Sequence, residues 1–288
     1  MTYVIHGATG AQGAPVVATL VAAGKPVTAL TRNPDAIVDG ARVVAADHSS
    51  VEELTEAYRG ADGVFVHLPM VSEEHRLAYA RNIVTAVNAA RPARVVFSTS
   101  GAPTDPASGA PTDPAIGGAA ALLAGGLAGS GVSHAVIAPT LYLENLLMPY
   151  VMDAVRERGT LPYPIRSDFP VSWASHLDIA DAALALFGRH DVTGVVSVGQ
   201  YPAITGANLA EAFSTHFGKR VVFEPITPEQ MRASVAPVIG EGPAADVAGL
   251  YQAMSTLPDR SITPEDAAQK CLGIAPRTTG QWLTDIGL

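Results

Sequence analysis

Through the first half of the chain, short apolar runs alternate with longer segments in which apolar residues return at helical spacing. The runs are Tyr3–Gly7, Pro26–Thr31, Ala41–Ala46, Gly63–His67, Ala93–Ser98 and Ser133–Ala138. A strand covered by helices on both sides reads as an unbroken apolar stretch, so these runs predict parallel strands. The first intervening helix, after Gly13, sets Val16, Val17, Leu20 and Val21 on one face and stops at Gly24, a residue that tolerates the positive φ of a helix end. A later one aligns Leu77, Ala80, Val84 and Val87 and leaves Glu73, Glu74 and Arg81 toward water. The pattern predicts an α/β fold, a doubly wound parallel sheet with helices on both faces.

Beyond Glu144 the alternation loosens. The spacing predicts a helix over Asn145–Glu157, a Pro-rich turn, a strand over Val171–Ala174, a helix over Asp178–Phe187 and a strand over Val192–Val198. A helix-strand pair at Thr205–Phe217 and Arg220–Ile226 follows, then mostly helical sequence. We expect residues 1–145 to form the core and residues 146–288 to complete the sheet and build a smaller C-terminal α/β lobe. Between Gly101 and Gly118 the heptapeptide Gly-Ala-Pro-Thr-Asp-Pro-Ala is written twice, which predicts a loop or mobile flap beside any ligand.

Composition narrows the possibilities. With 288 residues, 48% of them hydrophobic, a large core is available and disorder is excluded. A net charge of -9 without a basic run argues against a nucleic-acid partner. Cys271 is the only cysteine, so neither an internal disulfide nor a cysteine-based zinc site can form, and the eight histidines have no paired ligand spacing on one helix, so no metal is expected. No signal-peptide pattern precedes Tyr3 and no apolar run reaches membrane-spanning length, so the expectation is a cytoplasmic protein without a membrane partner.

The chemistry begins at Ile5-His6-Gly7-Ala8-Thr9-Gly10-Ala11-Gln12-Gly13, three glycines between a strand and a helix. The first permits a tight turn, the second lets backbone approach a diphosphate, and the third lets helix pack on strand, while the helix start offers unpaired amides. This predicts a Rossmann domain binding NAD(P) through Gly7, Thr9, Gly10, Ala11, Gln12 and Gly13. After the second strand stands Arg32, where an acidic residue would hold the ribose of NAD; an arginine there pairs with a 2′-phosphate, which favours NADP(H) over NAD(H). The other reading is a solvated Arg32 with Asp35 on the ribose. Asp47 either accepts from the adenine amino group or caps the helix near Val51. His67, Leu68 and Pro69 end the fourth strand, where backbone borders the adenine ribose.

Together with Thr31-Arg32-Asn33-Pro34, Asp47, Phe97-Ser98-Thr99-Ser100, Ser130-Gly131-Val132, Ala138-Pro139, Leu143-Glu144-Asn145 and Asp178-Ile179-Ala180-Asp181, the turn resembles the NmrA-like branch of the atypical short-chain dehydrogenase/reductases over essentially the whole chain. The later half looks most similar to NADPH-dependent quinone and triphenylmethane-dye reductases within that branch. The resemblance adds Ser98 and Pro139 to the cofactor residues and implies a polar group near the nicotinamide at Ser100. The branch also contains sensors that bind the dinucleotide without turnover.

One family feature is missing. Many short-chain dehydrogenases donate a proton from a Tyr-x-x-x-Lys pair, but between Gly101 and Gly131 this chain has neither tyrosine nor lysine. Hydride transfer to a delocalised acceptor needs no such acid, since the proton can follow from water. The expected activity is therefore NADPH-dependent reduction of a flat, largely apolar small molecule such as a quinone. The alternative is a non-catalytic NADP(H) sensor or regulator, and a nucleotide-assisted epimerisation ranks after both. Ser100, Tyr142, Asn145, Trp173 and His176 are expected to line the substrate. Ser100 and Tyr142 are the candidate catalytic groups; a loop-capping Ser100, a packing Tyr142 and a core Trp173 are the competing readings. Asp178 is expected to cap its helix. A monomer and a homodimer both fit.

Overall fold

A computed structural model describes residues 2–102 and 114–288 of the chain. The Pro-rich repeat expected to form a flap falls largely on 103–113, outside the described residues. Two compact units emerge: residues 1–140, 176–198 and 263–275 form the first, and residues 141–175, 199–262 and 276–288 the second. The chain re-enters the first unit twice, at residues 176–198, which bring the last strand of its sheet, and at residues 263–275.

The first unit holds seven parallel strands: β1 (Tyr3–Ile5), β2 (Val27–Thr31), β3 (Ala41–Ala45), β4 (Gly63–His67), β5 (Arg94–Ser98), β6 (Ser133–Pro139) and, after a two-residue β7 (Leu141–Tyr142), β8 (Thr160–Tyr163) and β9 (Trp173–Ala174) of the second unit, β10 (Gly194–Val198). Their spatial order is β10-β6-β5-β4-β1-β2-β3, with Tyr3 opposite both Val27 and Gly63. The order reverses beside β1, the switch point at which such sheets bind ligands.

Alternate residues face opposite sides of the strands. Val4, Val64, Val66, Val95, Phe97 and Val136 join one core with α2 (Val51–Tyr58), α3 (Glu73–Ala90) and α4 (Pro114–Gly129), given after α1 (Gly13–Ala22) in chain order. On the other side, α1 packs with α6 (His176–Gly188), which follows α5 (Pro149–Arg158) of the second unit. There Phe187 lies against Tyr3 and fills the space in which Gly63 lacks a side chain. Ser50 and Ser72 cap α2 and α3, each followed by two glutamates that suit the positive helix end.

The second unit gathers α5, α7 (Gly206–Phe217), α8 (Pro228–Ile239), α9 (Glu241–Met254) and α11 (Thr279–Asp285), with β8 parallel to β11 (Val222–Pro225) and β7 parallel to β9. The short α10 (Ala268–Cys271) belongs to the first unit. The helix expected over Asn145–Glu157 is split into a 3-10 turn at Leu143–Leu147 and α5, because Pro149 favours a helix start and Gly159 closes the far end in left-handed conformation. β8 occupies the segment expected to be a Pro-rich turn.

Candidate functional site

The glycine turn follows β1 directly, and each glycine can be tested for its reason. A side-chain carbon on Gly13 would collide with the carbonyls of Gly7 and His6, so helix and strand close only without one. Gly7 has a φ of 57° and lies against the His67 imidazole. At Gly10, by contrast, a methyl carbon would meet only the Gly7 carbonyl at 3.2 Å. That contact is tight but far looser than the one at Gly13, and Thr9, Gly10 and Ala11 are exposed. Among the described residues no carbonyl accepts from the amides of Ala11, Gln12 or Gly13. An exposed glycine turn with open amides at a helix start fits the demands of a diphosphate.

The other expected cofactor residues collect at the same ends of neighbouring strands: Arg32 after β2, Asp47 after β3, His67, Leu68 and Pro69 from β4, Ser98 from β5 and Pro139 from β6. Arg32 is exposed. Asp47 does not cap α2, a role taken by Ser50, whose hydroxyl accepts from the Glu53 amide at 3.2 Å. Instead, Asp47 accepts from the Ser49 amide at 2.7 Å, and this bonding, with the charges of His48 and Arg32, holds its carboxyl below the ordinary range.

Beneath the turn runs a largely buried polar chain that no local pattern announced. Tyr58 Oη lies 2.6 Å from His6 Nε2, and His6 Nδ1 lies 2.9 Å from His48 Nε2. Tyr58 is wholly buried, so the arrangement that gives its proton an acceptor runs from Tyr58 to His6 and from His6 Nδ1–H to His48. Burial, reinforced by the charges of His48 and His67, pushes His6 well down; His67 is pushed to about 4, again chiefly by burial and then by His48. His176, in the first turn of α6, is close enough for its charge to act on His67. Asp178 lies inside that first turn, buried, not at the cap.

A second network joins the turn to β5. Ser98 Oγ donates to Gln12 Oε1 at 2.9 Å, and Gln12 Nε2 donates to Ser100 Oγ at 2.9 Å. Ser100 has a φ of 57°, a left-handed conformation that costs a non-glycine residue about 1–2 kcal/mol. Backbone strain of this kind persists where surrounding bonds hold it. Residues 86 and 88 positions apart make these bonds, so no local pattern could have exposed them.

The remaining expected lining residues fall in the second unit. Trp173 is wholly buried, with its ring edge-on to Tyr163. Tyr142 is half-buried with its hydroxyl enclosed. Asn145 donates to Tyr163 Oη at 3.3 Å, and Tyr163 shares a 2.5 Å hydrogen bond with Tyr251. Burial raises both phenols, Tyr251 to about 12. Glu144 accepts from Ser175 at 2.9 Å and from the Trp282 indole at 3.2 Å, so the Glu-Asn pair braces this unit from within. Among the described residues no helix is long and apolar enough to cross a membrane.

A seven-stranded parallel sheet flanked by helices, with a glycine turn at its switch point, defines a Rossmann-like α/β protein. Residues 1–261 match the NmrA-like family, and the chain belongs to it. It is 28% identical over 285 residues to an NAD(P)H azoreductase of Xenophilus azovorans, covering 96% of this chain and 92% of that one. Among solved structures it resembles a nucleoside-diphosphate-sugar epimerase from Staphylococcus aureus, with a TM-score of 0.79, 21% identity and coverage of 98% and 99% of the two chains. It also resembles the Citrobacter sp. triphenylmethane reductase complexed with NADP(H), with a TM-score of 0.78, 19% identity and 98% of each chain covered. The two structural likenesses establish shared fold.

Proposed function

We propose that this chain is an NADPH-dependent oxidoreductase that reduces a flat, largely apolar electrophile such as a quinone or an azo or cationic dye. The observation that carries the reading is the turn itself, where Gly10 lies exposed at a helix start and the neighbouring amides stand open. The azoreductase and dye-reductase names of its relatives point the same way.

When bound, the reduced nicotinamide supplies the hydride. The chain's part is to hold and orient. The amides of Ala11, Gln12 and Gly13 grip the diphosphate, and Arg32 pairs with the 2′-phosphate. Asp47 faces the adenine, Leu68 and Pro69 border its ribose, and Ser98 and Pro139 frame the nicotinamide. Ser100 offers a hydroxyl to the acceptor. A quinone or azo acceptor takes its second proton from water, which fits a chain without the Tyr-x-x-x-Lys pair. We assign the protein a small-molecule substrate.

The missing pair also favours a second reading, a sensor that binds NADP(H) without turnover. NADPH oxidation followed by absorbance against a panel of quinones, azo dyes and triphenylmethane dyes separates the two. Turnover is expected with at least one class, and silence across the panel beside tight NADPH binding selects the sensor. Arg32→Ala is expected to weaken NADPH about 10–100-fold, the loss of a charge-assisted bond, and NADH far less. Equal weakening of both nucleotides removes the 2′-phosphate assignment.

A further inference from the structure

We infer that Gln12 is a positioning residue that, by donating to the Ser100 hydroxyl, leaves the Ser100 proton free to donate toward the heteroatom of the bound acceptor. The inference rests on the reductase reading above. Its basis is the direction of protons in the network joining the glycine turn to the end of β5.

Ser98 is wholly buried, so its single hydroxyl proton needs an acceptor, and Gln12 Oε1 lies 2.9 Å away. A lone pair of the same hydroxyl faces the Ser100 amide at 3.4 Å. Once Ser98 donates to Oε1, the amide of Gln12 is fixed, and its Nε2 must point at Ser100 Oγ. Gln12 is itself only 8% exposed, which denies the side chain an alternative in water. Ser100 Oγ thereby receives a hydrogen bond on one side and keeps its own proton for the other. Ser100 remains partly exposed, and it is held in the left-handed conformation already described. A ligand acceptor atom arriving there can take the Ser100 proton, because the Gln12 NH2 group beside it only donates and cannot accept that proton.

The chemistry that benefits is specific. A neutral quinone or azo acceptor, on taking hydride at one atom, develops negative charge on oxygen or nitrogen, and a preset donor stabilises that charge. The second proton then comes from water, completing the two-electron, two-proton reduction. A cationic triphenylmethane dye takes hydride at its central carbon and becomes neutral, with no anion to stabilise. The positioning therefore predicts discrimination between acceptor classes.

The test uses the intact protein with NADPH, a 1,4-naphthoquinone and a cationic triphenylmethane dye. Four proteins are compared: wild type, Gln12→Met, Ser100→Ala and the double variant. NADPH affinity is followed in parallel by fluorescence. Each single substitution is expected to lower the quinone-to-dye ratio of kcat about 10-fold, with quinone KM moving far less than kcat. The double variant is expected to fall no further than the singles, since Gln12 acts through Ser100. Multiplying losses in the double variant, an unchanged ratio in Gln12→Met, or a loss confined to NADPH affinity overturns the positioning while leaving the reductase intact. A wild-type chain that binds NADPH but reduces neither acceptor brings down the functional reading and this inference together.

Discussion

The strand ends of the first unit and the core of the second both enclose polar groups, but they do so in opposite chemical senses. Under the glycine turn, burial keeps imidazoles neutral by making the added proton costly. In the second unit, burial keeps phenols protonated by making the lost proton costly. One physical cause thus exposes the two regions to opposite ends of the pH scale. They differ as well in what fixes their shape. Backbone against backbone leaves no room at Gly13, whereas hydroxyl and amide side chains tie Tyr163, Tyr251 and Asn145 together.

The largest effect is expected at the backbone. Gly13→Ala should cost more than ~3 kcal/mol, since the collision is with carbonyl groups that cannot swing aside, and thermal melts should find little folded protein. Gly10→Ala is its control, with a clearly smaller loss of stability than Gly13→Ala but a marked loss of dinucleotide affinity by fluorescence titration. If Gly10→Ala unfolds the chain and Gly13→Ala does not, the division of roles within the turn is wrong.

Next in size is acid. A histidine in the unfolded chain titrates near ~6.5, and His67 in the fold near 4. The unfolded state therefore takes up the proton first as pH falls. The stabilisation is complete above about pH 6.5, drains away down to pH 4 and changes little below, on the order of 3 kcal/mol for this one group. Urea melts between pH 7.5 and 4.5 should lose stability, and His67→Asn should flatten the slope. The tyrosines supply the mirror image. An unfolded phenol ionises near ~10 and Tyr251 near 12, so their contribution is intact below pH 10 and lost as pH climbs toward 12.

A smaller effect than acid is expected for Tyr251→Phe, which strips one partner from Tyr163 but leaves it Asn145. A cost of about 1–2 kcal/mol in chemical denaturation is expected, together with a gentler alkaline slope. An unaltered alkaline slope would mean that the phenol pair is not what the second unit loses in base.

The same contrast explains what could be read in advance. The strands of the first unit were legible because covered parallel strands are short apolar runs, and the nucleotide turn was legible because its glycines are local. Even there, the roles of Gln12, Ser98 and Ser100 as a set, and of His6 with His48 and Tyr58, depended on partners brought together by distant strands. In the second unit the signals were weaker still. β8 is a four-residue strand containing Pro162, so it read as a turn. Trp173 could be a ligand wall or a core ring until its neighbours were known. Asp178 looked like a cap because the helix was expected to begin there, whereas it begins two residues earlier, at His176.

The twofold return of the chain to its first unit also bears on how the protein is made. β10 borders β6, and residue Ser197 is in turn bridged by Ala267, so this side of the sheet is assembled from segments far apart in sequence. A ribosome extruding the chain from its N-terminus cannot present a finished first unit until Ala275 has emerged, long after the glycine turn. High contact order of this kind slows folding and leaves the β6 margin open in nascent and shortened chains, where it can recruit a foreign strand.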